Sequence, residues 1–544
     1  MRRGITAARA ETSTLLLSSL LKRCKSVRDA KHVHTQLTTS PFLSNIDRHS
    51  LLTRLLFHCA LSQWASPTYA AKLFTSMSTP DLFSYNVMIR ASASRGDDDV
   101  DAIKLYKRMV SQGIRPDFIS VPFVFKQCGY RKGFDLIGRS LHAQAIIFGV
   151  TPDVYISNTV ITFYASHGFL IDARKVFDEM LYRDVVSWNS IIIGCLRCGG
   201  LDQALSLFYN MTCPKNIVTW NSIITGFVQG GRGKEALGLF NEMQTGGDAI
   251  RPDKITFANV ITACGSVGAI DHGKWVHSYL KKSDLSCDYV IETALVDMYG
   301  KCGCLDTAVE VFCSMHNKDV LAWTAMISVF ALHGRNKKAF ELFDEMISSG
   351  VRPNQVTFVG LLSACAHSGL VDKGRWYFDA MSRIYSLEPQ VHHYACMVDM
   401  LSRSGMFDEA EMLIKGMPMQ PDVYVLGALL GGCQMHGNVK LGAKVARSLI
   451  DLEPLNHAFY INLIDIYAKA GRFEDVKRSR NLMNERGIKK DIAGCSMIEV
   501  DGTVHEFSIN GSPDVEMKMV IHVLNVLYCE FINTRIYTQG AAEK

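Results

Sequence analysis

Some cysteines of this sequence are spaced closely enough to suggest metal binding. Cys195 and Cys198 form a Cys-x-x-Cys pair, and Cys302 and Cys304 flank one glycine, as zinc ligands often do. Cys195, however, recurs at the same position of a series of similar segments. The series is Cys24, Cys59, Cys128, Cys195, Cys264, Cys365 and Cys433. A cysteine that recurs in this way predicts a small buried apolar side chain, so we expect no metal and no other cofactor.

Composition and charge set wide bounds on the fold. The chain has 544 residues, 48% of them hydrophobic, with 14 prolines, which predicts a large core rather than disorder. A net charge of +5 allows a polyanionic partner without requiring one. No stretch approaches the roughly 18 apolar residues of a membrane span, so we expect a soluble protein with no membrane partner. Cysteines without a secretory signal predict reduced thiols.

The first residues favour import into an organelle. Residues 1–13 contain Arg2, Arg3 and Arg9 with a single acidic residue, Glu11. No apolar segment with a small-residue cleavage site follows, so the pattern is nearer to a transit peptide than to a secretory signal. An ordinary N-terminus is the alternative.

The sequence contains an internal repeat, and any functional site must be built on its structural elements. Repeats are bounded at 82–117, 118–153, 154–184, 185–216, 217–253, 254–288, 289–319, 320–354, 355–390 and 391–422, with two weaker ones at 14–48 and 49–81. A period of this length is the mark of a repeat architecture.

Glycine and alanine recur inside this frame and indicate a helical hairpin. The fifteenth position is Gly96, Gly168, Gly199, Gly231, Gly268, Gly303, Gly334, Gly369 or Gly405, and the frame continues to Gly437 and Gly471. A glycine between two helix-like segments predicts a turn. The twentieth position is small, as at Ala204 and Gly273, so two helices can approach closely. A following Leu-Phe-x-x-Met pattern predicts stacked hairpins that share one core.

These residues resemble the plant branch of the pentatricopeptide repeat family that mixes ordinary, long and short repeats. VVSWNSIIIG and IVTWNSIITG look like its ordinary first helices, FANVITACGSVGAIDHGKWVHSYL like a long repeat, and TALVDMYGKCG like a short one. The resemblance covers roughly residues 14–510. It implies an all-α, right-handed superhelical α-solenoid. Tetratricopeptide repeats are the nearest rival, but their Trp-x-x-Leu-Gly-x-x-Tyr pattern is missing.

The C-terminal part resembles an extension of this branch called the E region. Two hairpins at 423–456 and 457–491 lie nearer to tetratricopeptide repeats, and a protein-binding role is usual for this region. In residues 492–544, the segment from Gly494 to Ile509 alternates around Asp501-Gly502, which predicts a β-hairpin. A helix is expected from Val515 to Phe531.

The resemblance places RNA-reading side chains at the fifth and last positions of each repeat. Readers of this kind present one base per repeat to two or three side chains on the concave face. The pairs are Asn86 with Asp117, Asn158 with Asp184, Asn189 with Asn216, Asn221 with Asp253, Thr293 with Asp319, and Thr324 with Asn354. Apolar second residues that could sandwich the bases are Phe83, Val186, Val218, Val290 and Leu321. A helix cap or local turn bond is the structural alternative for each asparagine.

The resemblance also implies a base order. A fifth Asn is associated with pyrimidines and a fifth Thr with purines, while a last Asp favours U or G and a last Asn favours C or A. From repeat 82–117 to repeat 320–354 the order is U, unread, U, C, U, unread, G, A in the 5′ to 3′ direction. Long repeats with Pro122, Ala258 or Val359 at the fifth position, and the repeat with Ala395, have no assigned base.

Many relatives end in a zinc deaminase, whose chemistry needs a His-x-Glu and a Cys-x-x-Cys. These 544 residues contain no His-x-Glu, and after His505 the only cysteine is Cys529. We therefore expect a non-enzymatic RNA-binding protein that marks sites for C-to-U editing of organellar transcripts, with a deaminase or editing-complex protein docking on 423–510. An RNA-protecting or splicing factor and a protein scaffold are the alternatives. A mitochondrial location is expected, with the chloroplast as the alternative.

Overall fold

The computed structural model describes residues 14–62, 64, 66–95, 102–129, 133–246, 250–282, 288–488, 495–500 and 503–508. The chain divides into two compact units. The N-terminal unit comprises residues 1–232 and 242–251, and the C-terminal unit comprises residues 233–241 and 252–544. The boundary runs through one helix, α14 (Gly233–Thr245). The predicted transit peptide and the helix expected at 515–531 lie outside the described residues.

The N-terminal unit is a series of helical hairpins. Its helices are α1 (14–23), α2 (Val27–Thr39), α3 (Asn45–Leu61), α4 (Pro67–Ser76), α5 (Leu82–Arg95), α6 (Ala102–Ser111), α7 (Ser120–Gly129), α8 (Asp135–Ile147), α9 (Val154–Ser166), α10 (Leu170–Glu179), α11 (Val185–Arg197), α12 (Leu201–Tyr209) and α13 (Ile217–Gln229). From α9 onward the first helix of each hairpin begins at the first residue of the predicted repeat. The weak repeat bounded at 49 was placed too late, because α3 already begins at Asn45, where the hydroxyl of Ser44 caps it.

The C-terminal unit has the same plan, and its last described elements are two strands. Its helices are α15 (Lys254–Val267), α16 (Ile270–Lys282), α17 (Tyr289–Lys301), α18 (Leu305–Ser314), α19 (Val320–Leu332), α20 (Asn336–Ser348), α21 (Gln355–Ser368), α22 (Val371–Arg383), α23 (Val391–Arg403), α24 (Phe407–Lys415), α25 (Val423–His436), α26 (Val439–Leu452), α27 (His457–Lys469) and α28 (Phe473–Glu485). The strands β1 (Cys495–Val500) and β2 (Thr503–Ser508) pair antiparallel with Val500 opposite Thr503, as predicted for this segment.

The recurring glycine forms the turn inside each hairpin. In the described part of the frame its φ lies between 65° and 83°, a left-handed conformation that glycine adopts at least cost. The residues are Gly168, Gly199, Gly231, Gly268, Gly303, Gly334, Gly369, Gly405, Gly437 and Gly471. Gly96 lies outside the described residues. The predicted turns are confirmed at every described position.

Small residues at the twentieth position allow the close packing that the sequence predicts. The alanines at this position, including Ala204 and Ala339, are fully buried. A Cβ added to Gly273 would lie 2.6 Å from Sδ of Met298, so a larger residue there would require this methionine side chain to move. The phenylalanine of the Leu-Phe-x-x-Met pattern packs edge-on against an aromatic residue of the next first helix, as Phe208 does on Trp220 with ring centroids 4.8 Å apart.

The recurring cysteines belong to this core. Cys59, Cys128, Cys195, Cys264, Cys365 and Cys433 are buried. Burial raises the pKa of the Cys59 and Cys365 thiols to about 12, so both are protonated at neutral pH. Cys24 differs, because it follows the end of α1 and is only half-buried. The prediction of an apolar packing role is therefore confirmed for all but the first member of the series.

Candidate nucleic-acid interface

In most repeats with a predicted reading pair, the last residue is the N-cap of the following first helix. Asp117 is the exception, because it lies three residues before α7 begins and accepts from the backbone N–H groups of Ile119 and Ser120. Asn216 caps α13, where its Oδ1 accepts from the backbone N–H of Thr219 at 2.9 Å. Asp184 caps α11 through Ser187 in the same way, at 2.8 Å. Capping supplies a partner for an otherwise unpaired helix N–H. Helix capping, the structural alternative to RNA contact, is therefore present at the last position. It also fixes the position of each capping side chain.

The fifth-position asparagines do not cap helices but reach the last residue of their own repeat. Asn86 donates from Nδ2 to Oδ2 of Asp117 at 2.9 Å, and Asn158 donates to Oδ1 of Asp184 at 3.2 Å. Asn189 donates to Oδ1 of Asn216 at a longer 3.5 Å. The structure therefore brings together these three predicted pairs.

These three asparagines are buried. Asn86, Asn158 and Asn189 are only 6–7% exposed, because they lie beneath the partly exposed last residue. The Oδ1 atom of each has no hydrogen-bond partner among the described residues. A buried amide oxygen without a partner is costly, and a water or a ligand N–H would satisfy it.

The threonine pairs are arranged differently. The Thr324 hydroxyl lies 2.7 Å from the hydroxyl of Thr357, which belongs to the cap of Asn354, so this pair is linked through a third residue. Thr293 instead donates to the carbonyl of Tyr289 in its own helix, at 2.6 Å. Its predicted partner Asp319 caps α19 through backbone N–H groups.

In the remaining predicted pair, the two residues belong to different compact units. Asn221 is buried on α13, in the N-terminal unit. Asp253 caps α15 with Thr256, in the C-terminal unit.

Apolar residues at the second position are exposed on every reading helix. Phe83, Val186, Val218, Val290 and Leu321 are 47–56% exposed, although large apolar side chains are usually buried. The same position is also exposed and apolar in helices for which the sequence analysis named no residue. These further members are Ile119, Tyr155, Ile255, Val356 and Tyr424. The repeat frame alone could have found them.

A groove on the first helices of the N-terminal unit combines these features. Its volume is about 590 Å³, and its lining includes Tyr155, Asn158 and Val186. Lys126 and Arg197 also line it and supply positive charge. An apolar second residue, a fifth-position amide and two basic side chains together suit an unpaired, negatively charged nucleotide.

The carboxylate of Asp184 is held in its ionised form. Burial raises its pKa, but hydrogen bonds from the backbone and hydroxyl of Ser187 and from Asn158 outweigh that effect, so the pKa lies below its ordinary value. At neutral pH Asp184 can therefore only accept hydrogen bonds, whereas the amide of Asn216 can also donate.

The cysteine pairs form no metal centre in the part of the chain that the structure describes. No group of three His, Cys, Asp or Glu side chains there could hold a metal ion. Cys195 is buried while Cys198 is exposed and lies within reach of the Ala165 carbonyl. No helix among the described residues is long and apolar enough to cross a membrane.

Comparison with known proteins gives the family. A repeat model of pentatricopeptide proteins matches residues 83–114, 155–185, 186–213, 293–320, 356–384 and 392–420, and a second matches 215–266 and 318–367. A mitochondrial pentatricopeptide repeat-containing protein of Arabidopsis thaliana is 40% identical over 619 residues, covering 94% of this chain and 89% of the relative. The chain belongs to the pentatricopeptide repeat family. An E-motif model also matches residues 436–499, which overlap the predicted E region.

Other pentatricopeptide repeat proteins agree with this assignment. A chloroplastic/mitochondrial protein of Arabidopsis thaliana is 36% identical over 94% of this chain and 76% of its own length. The solved structure of PPR10 in complex with an 18-nt psaJ RNA element matches 87% of this chain and 68% of its own, with a TM-score of 0.56 and 20% identity. That likeness confirms the stacked-hairpin α-solenoid fold.

Proposed function

We propose that this pentatricopeptide repeat protein binds single-stranded RNA in a sequence-dependent way through its first-helix face. The proposal rests on three features that recur together. They are an exposed apolar second residue, a buried fifth-position amide and a last residue that caps the next helix. Stacking on the second residue suits any base, whereas the last residue offers either an acceptor or a donor to the base edge. Free base edges require an unpaired strand.

The proposed base order follows the repeats from 82–117 to 320–354 and is U, unread, U, C, U, unread, G, A. The repeats that contain Asn86–Asp117, Asn158–Asp184 and Asn189–Asn216 support it best, because the two side chains of each pair are in contact. Gel shifts at a stated salt concentration test it, since phosphate contacts alone give strongly salt-dependent binding of any RNA. A saturable complex with this RNA that a shuffled RNA does not compete away is expected. Equal binding of both RNAs would contradict base readout.

The finer role we propose is recognition of C-to-U editing sites in an organelle, with the deaminase supplied by another protein. The E-motif match at 436–499 supports this role. Names of relatives that include "mitochondrial" and "chloroplastic" support an organellar location, and we favour the mitochondrion. The edited cytidine should lie a few nucleotides 3′ of the read stretch, facing the E region.

Sequencing of organellar cDNA from a loss-of-function line tests this role. One or a few unedited cytidines are expected, each preceded by the proposed base order. Normal editing with altered transcript ends or retained introns would favour a protecting or splicing factor instead.

Zinc analysis of the purified protein separates site recognition from catalysis. We expect less than stoichiometric zinc and no deamination of cytidine by these 544 residues, because they contain no His-x-Glu. One zinc per chain, or editing in a reaction with no other protein, would contradict the supply of a deaminase in trans.

A further inference from the structure

The third residue of a repeat holds the last residue of the repeat before it. At this position the chain has several fully buried serines and threonines, for which no role was predicted. They are Ser84, Ser120, Ser187, Thr219, Thr256 and Thr357, each with 0% exposure. Each donates its hydroxyl proton to the Oδ1 atom of the preceding cap residue. The third residue is thus part of the support of the proposed reading position.

At Asn216 this support fixes the orientation of an amide. Oδ1 accepts from the backbone N–H of Thr219 at 2.9 Å and from its hydroxyl at 3.0 Å. The hydroxyl in turn accepts from the backbone N–H of Asn216 at 3.3 Å. Asn189 adds a third donor to Oδ1 at 3.5 Å. Because every partner of Oδ1 is a donor, Oδ1 faces inward and Nδ2 is left on the outer side of the exposed cap.

Asn354 is held by the same arrangement. Thr357 donates to its Oδ1 from the backbone at 3.0 Å and from the hydroxyl at 3.1 Å. The hydroxyl has one proton, so the Thr324 hydroxyl at 2.7 Å must donate to Thr357. The fifth residue of this repeat therefore acts on the last residue through the third residue of the next.

An amide needs this orientation and a carboxylate does not. Rotating an Asp carboxylate by half a turn presents an equivalent oxygen, whereas rotating an Asn amide exchanges a donor for an acceptor. In the repeats from 82 to 422, both asparagines that end a repeat, Asn216 and Asn354, are followed by a third-position threonine. Several aspartates that end repeats lack a hydroxyl there, as Asp319 does with Ala322. Asp153 and Asp288, followed by Ile156 and Ile291, are further cases.

We propose that Thr219 and Thr357 are specificity-positioning residues, which turn the amide of the preceding asparagine so that it donates to the base. This inference rests on the proposed RNA readout. Without the Thr219 hydroxyl, Oδ1 of Asn216 keeps only the backbone N–H at 2.9 Å and the long contact from Asn189 at 3.5 Å, so the amide is held less firmly in this orientation. One neutral hydrogen bond corresponds to about fivefold in an equilibrium constant, so base preference should fall by about that factor.

The experiment measures dissociation constants of the full chain for RNAs that differ only at the base facing repeat 185–216. Thr219→Val should lower the preference for C over U about fivefold, and Thr219→Ser should retain it. Ser206→Ala, which removes an exposed hydroxyl from the second helix of the same repeat, should leave this preference unchanged. Equal weakening of all RNAs by Thr219→Val would overturn the inference, since it would indicate a structural cap only.

Two further measurements keep the inference falsifiable. In the Asn216→Asp background, Thr219→Val should no longer change base preference. A change of the same size in that background would overturn the inference. Circular dichroism reports whether the variants fold. Thr357→Val gives the same test at a second site, the base that faces repeat 320–354. If the unchanged protein has no base preference at all, the proposed RNA readout itself is wrong, and that result is distinct from a preference that survives Thr219→Val.

Discussion

Repeat 185–216 and the hairpin 423–456 share their scaffold and differ on the first-helix face. Each begins at a capping aspartate, Asp184 or Asp422, and each has a left-handed glycine at its turn. The fifth residue is Asn189 in the first and Gly427 in the second. The polar contact between the fifth and last positions is therefore present in one hairpin and cannot form in the other. Packing and readout are thus separable properties of this fold.

The comparison also separates two roles for the chain. The hairpins before residue 422 include the six polar pairs that suit base readout, together with four repeats that have an apolar fifth residue. The hairpins after it have Gly427 and Ile461 at the fifth position, which offer no side-chain hydrogen bond to a base. We therefore propose RNA selection for the first region and docking of an editing protein for the second.

Removal of the C-terminal hairpins should have the largest effect. A chain that ends after Asp422 should bind RNA within about threefold of the full-length protein, because stacked hairpins mainly contact their neighbours. Function in the organelle should be lost completely. Complementation of a loss-of-function line, together with gel shifts, measures both properties.

Solubility is the control for this truncation, since it exposes apolar residues such as Leu401 that pack in the core shared with α25. The truncated protein must remain monomeric in size-exclusion chromatography before its RNA binding is compared. Full complementation by a monomeric truncated protein would contradict the docking role of 423–491.

Exchange of the last residue should have the next largest effect. Asn216→Asp replaces the outward amide with a carboxylate oxygen, so the preference at this position should move from C toward U. A base-edge contact contributes on the order of 1 to 3 kcal/mol, by analogy with DNA readers, so the change should be visible in competition binding.

The matched variant is Asp184→Asn in the neighbouring repeat, which should move preference from U toward C. Reciprocal shifts would link the cap residue to the base. A uniform loss of affinity with either variant would leave only the helix-capping role and would contradict the assigned pairs.

Sequence alone predicted the fold well because its signals are local and repeated. A turn glycine and a buried alanine each act within one hairpin, and the first-helix boundaries at Val185, Ile217 and Val320 follow from them. The sequence named the three pairs that are in contact, but not the geometry of those contacts. The burial of Asn189 depends on how two hairpins meet, which no single repeat encodes. The contact of Thr219 with Asn216 is a local capping box three residues apart, which the sequence could have indicated.

The indirect link between Thr324 and Asn354 could not be predicted for the same reason. It requires the hydroxyl of Thr357, a residue of the following repeat that the resemblance does not mark. Thr293 has the predicted residue type at the fifth position, but its hydroxyl donates to a carbonyl of its own helix instead of approaching the last residue.

Acid should destabilise the reading hairpins by a smaller amount. His277 accepts from, or donates to, the hydroxyl of Tyr299 at 2.9 Å, and burial, with a smaller contribution from Lys281, lowers the pKa of its imidazole to about 4. Unfolded histidine takes up a proton near pH 6.5, so the unfolded state binds more protons between about pH 6.5 and 4. The free energy of unfolding should therefore fall as the pH drops through this window, by roughly 1 kcal/mol because solvent partly screens the site.

The C-terminal hairpins supply the contrast for this effect. Arg447 takes the corresponding place and donates to the hydroxyl of Tyr467 at 3.0 Å, and arginine does not titrate in this range. Hydrogen exchange at pH 7 and pH 5 should show weaker protection in α16 and α17 and little change in α26 and α27. His277→Asn should flatten the acid effect in α16 and α17, and an unchanged pH dependence in that variant would contradict the assignment to His277.

The smallest expected effect tests whether the glycine at the fifth position of α25 serves packing. A Cβ added at Gly427 would meet no atom within 4 Å, so Gly427→Ala fits without strain. Alanine loses less conformational freedom than glycine when a helix forms, so the variant should stabilise α25 by roughly 0.5 to 1 kcal/mol. Gly432 in the same helix is the matched control, because its added Cβ would lie 2.4 Å from Cβ of Ser402, and Gly432→Ala should destabilise α25. Hydrogen exchange of the α25 amides measures both signs. Base preference should be unchanged by Gly427→Ala, since this hairpin has no polar fifth residue to lose, and a changed preference would show that the C-terminal region also reads RNA.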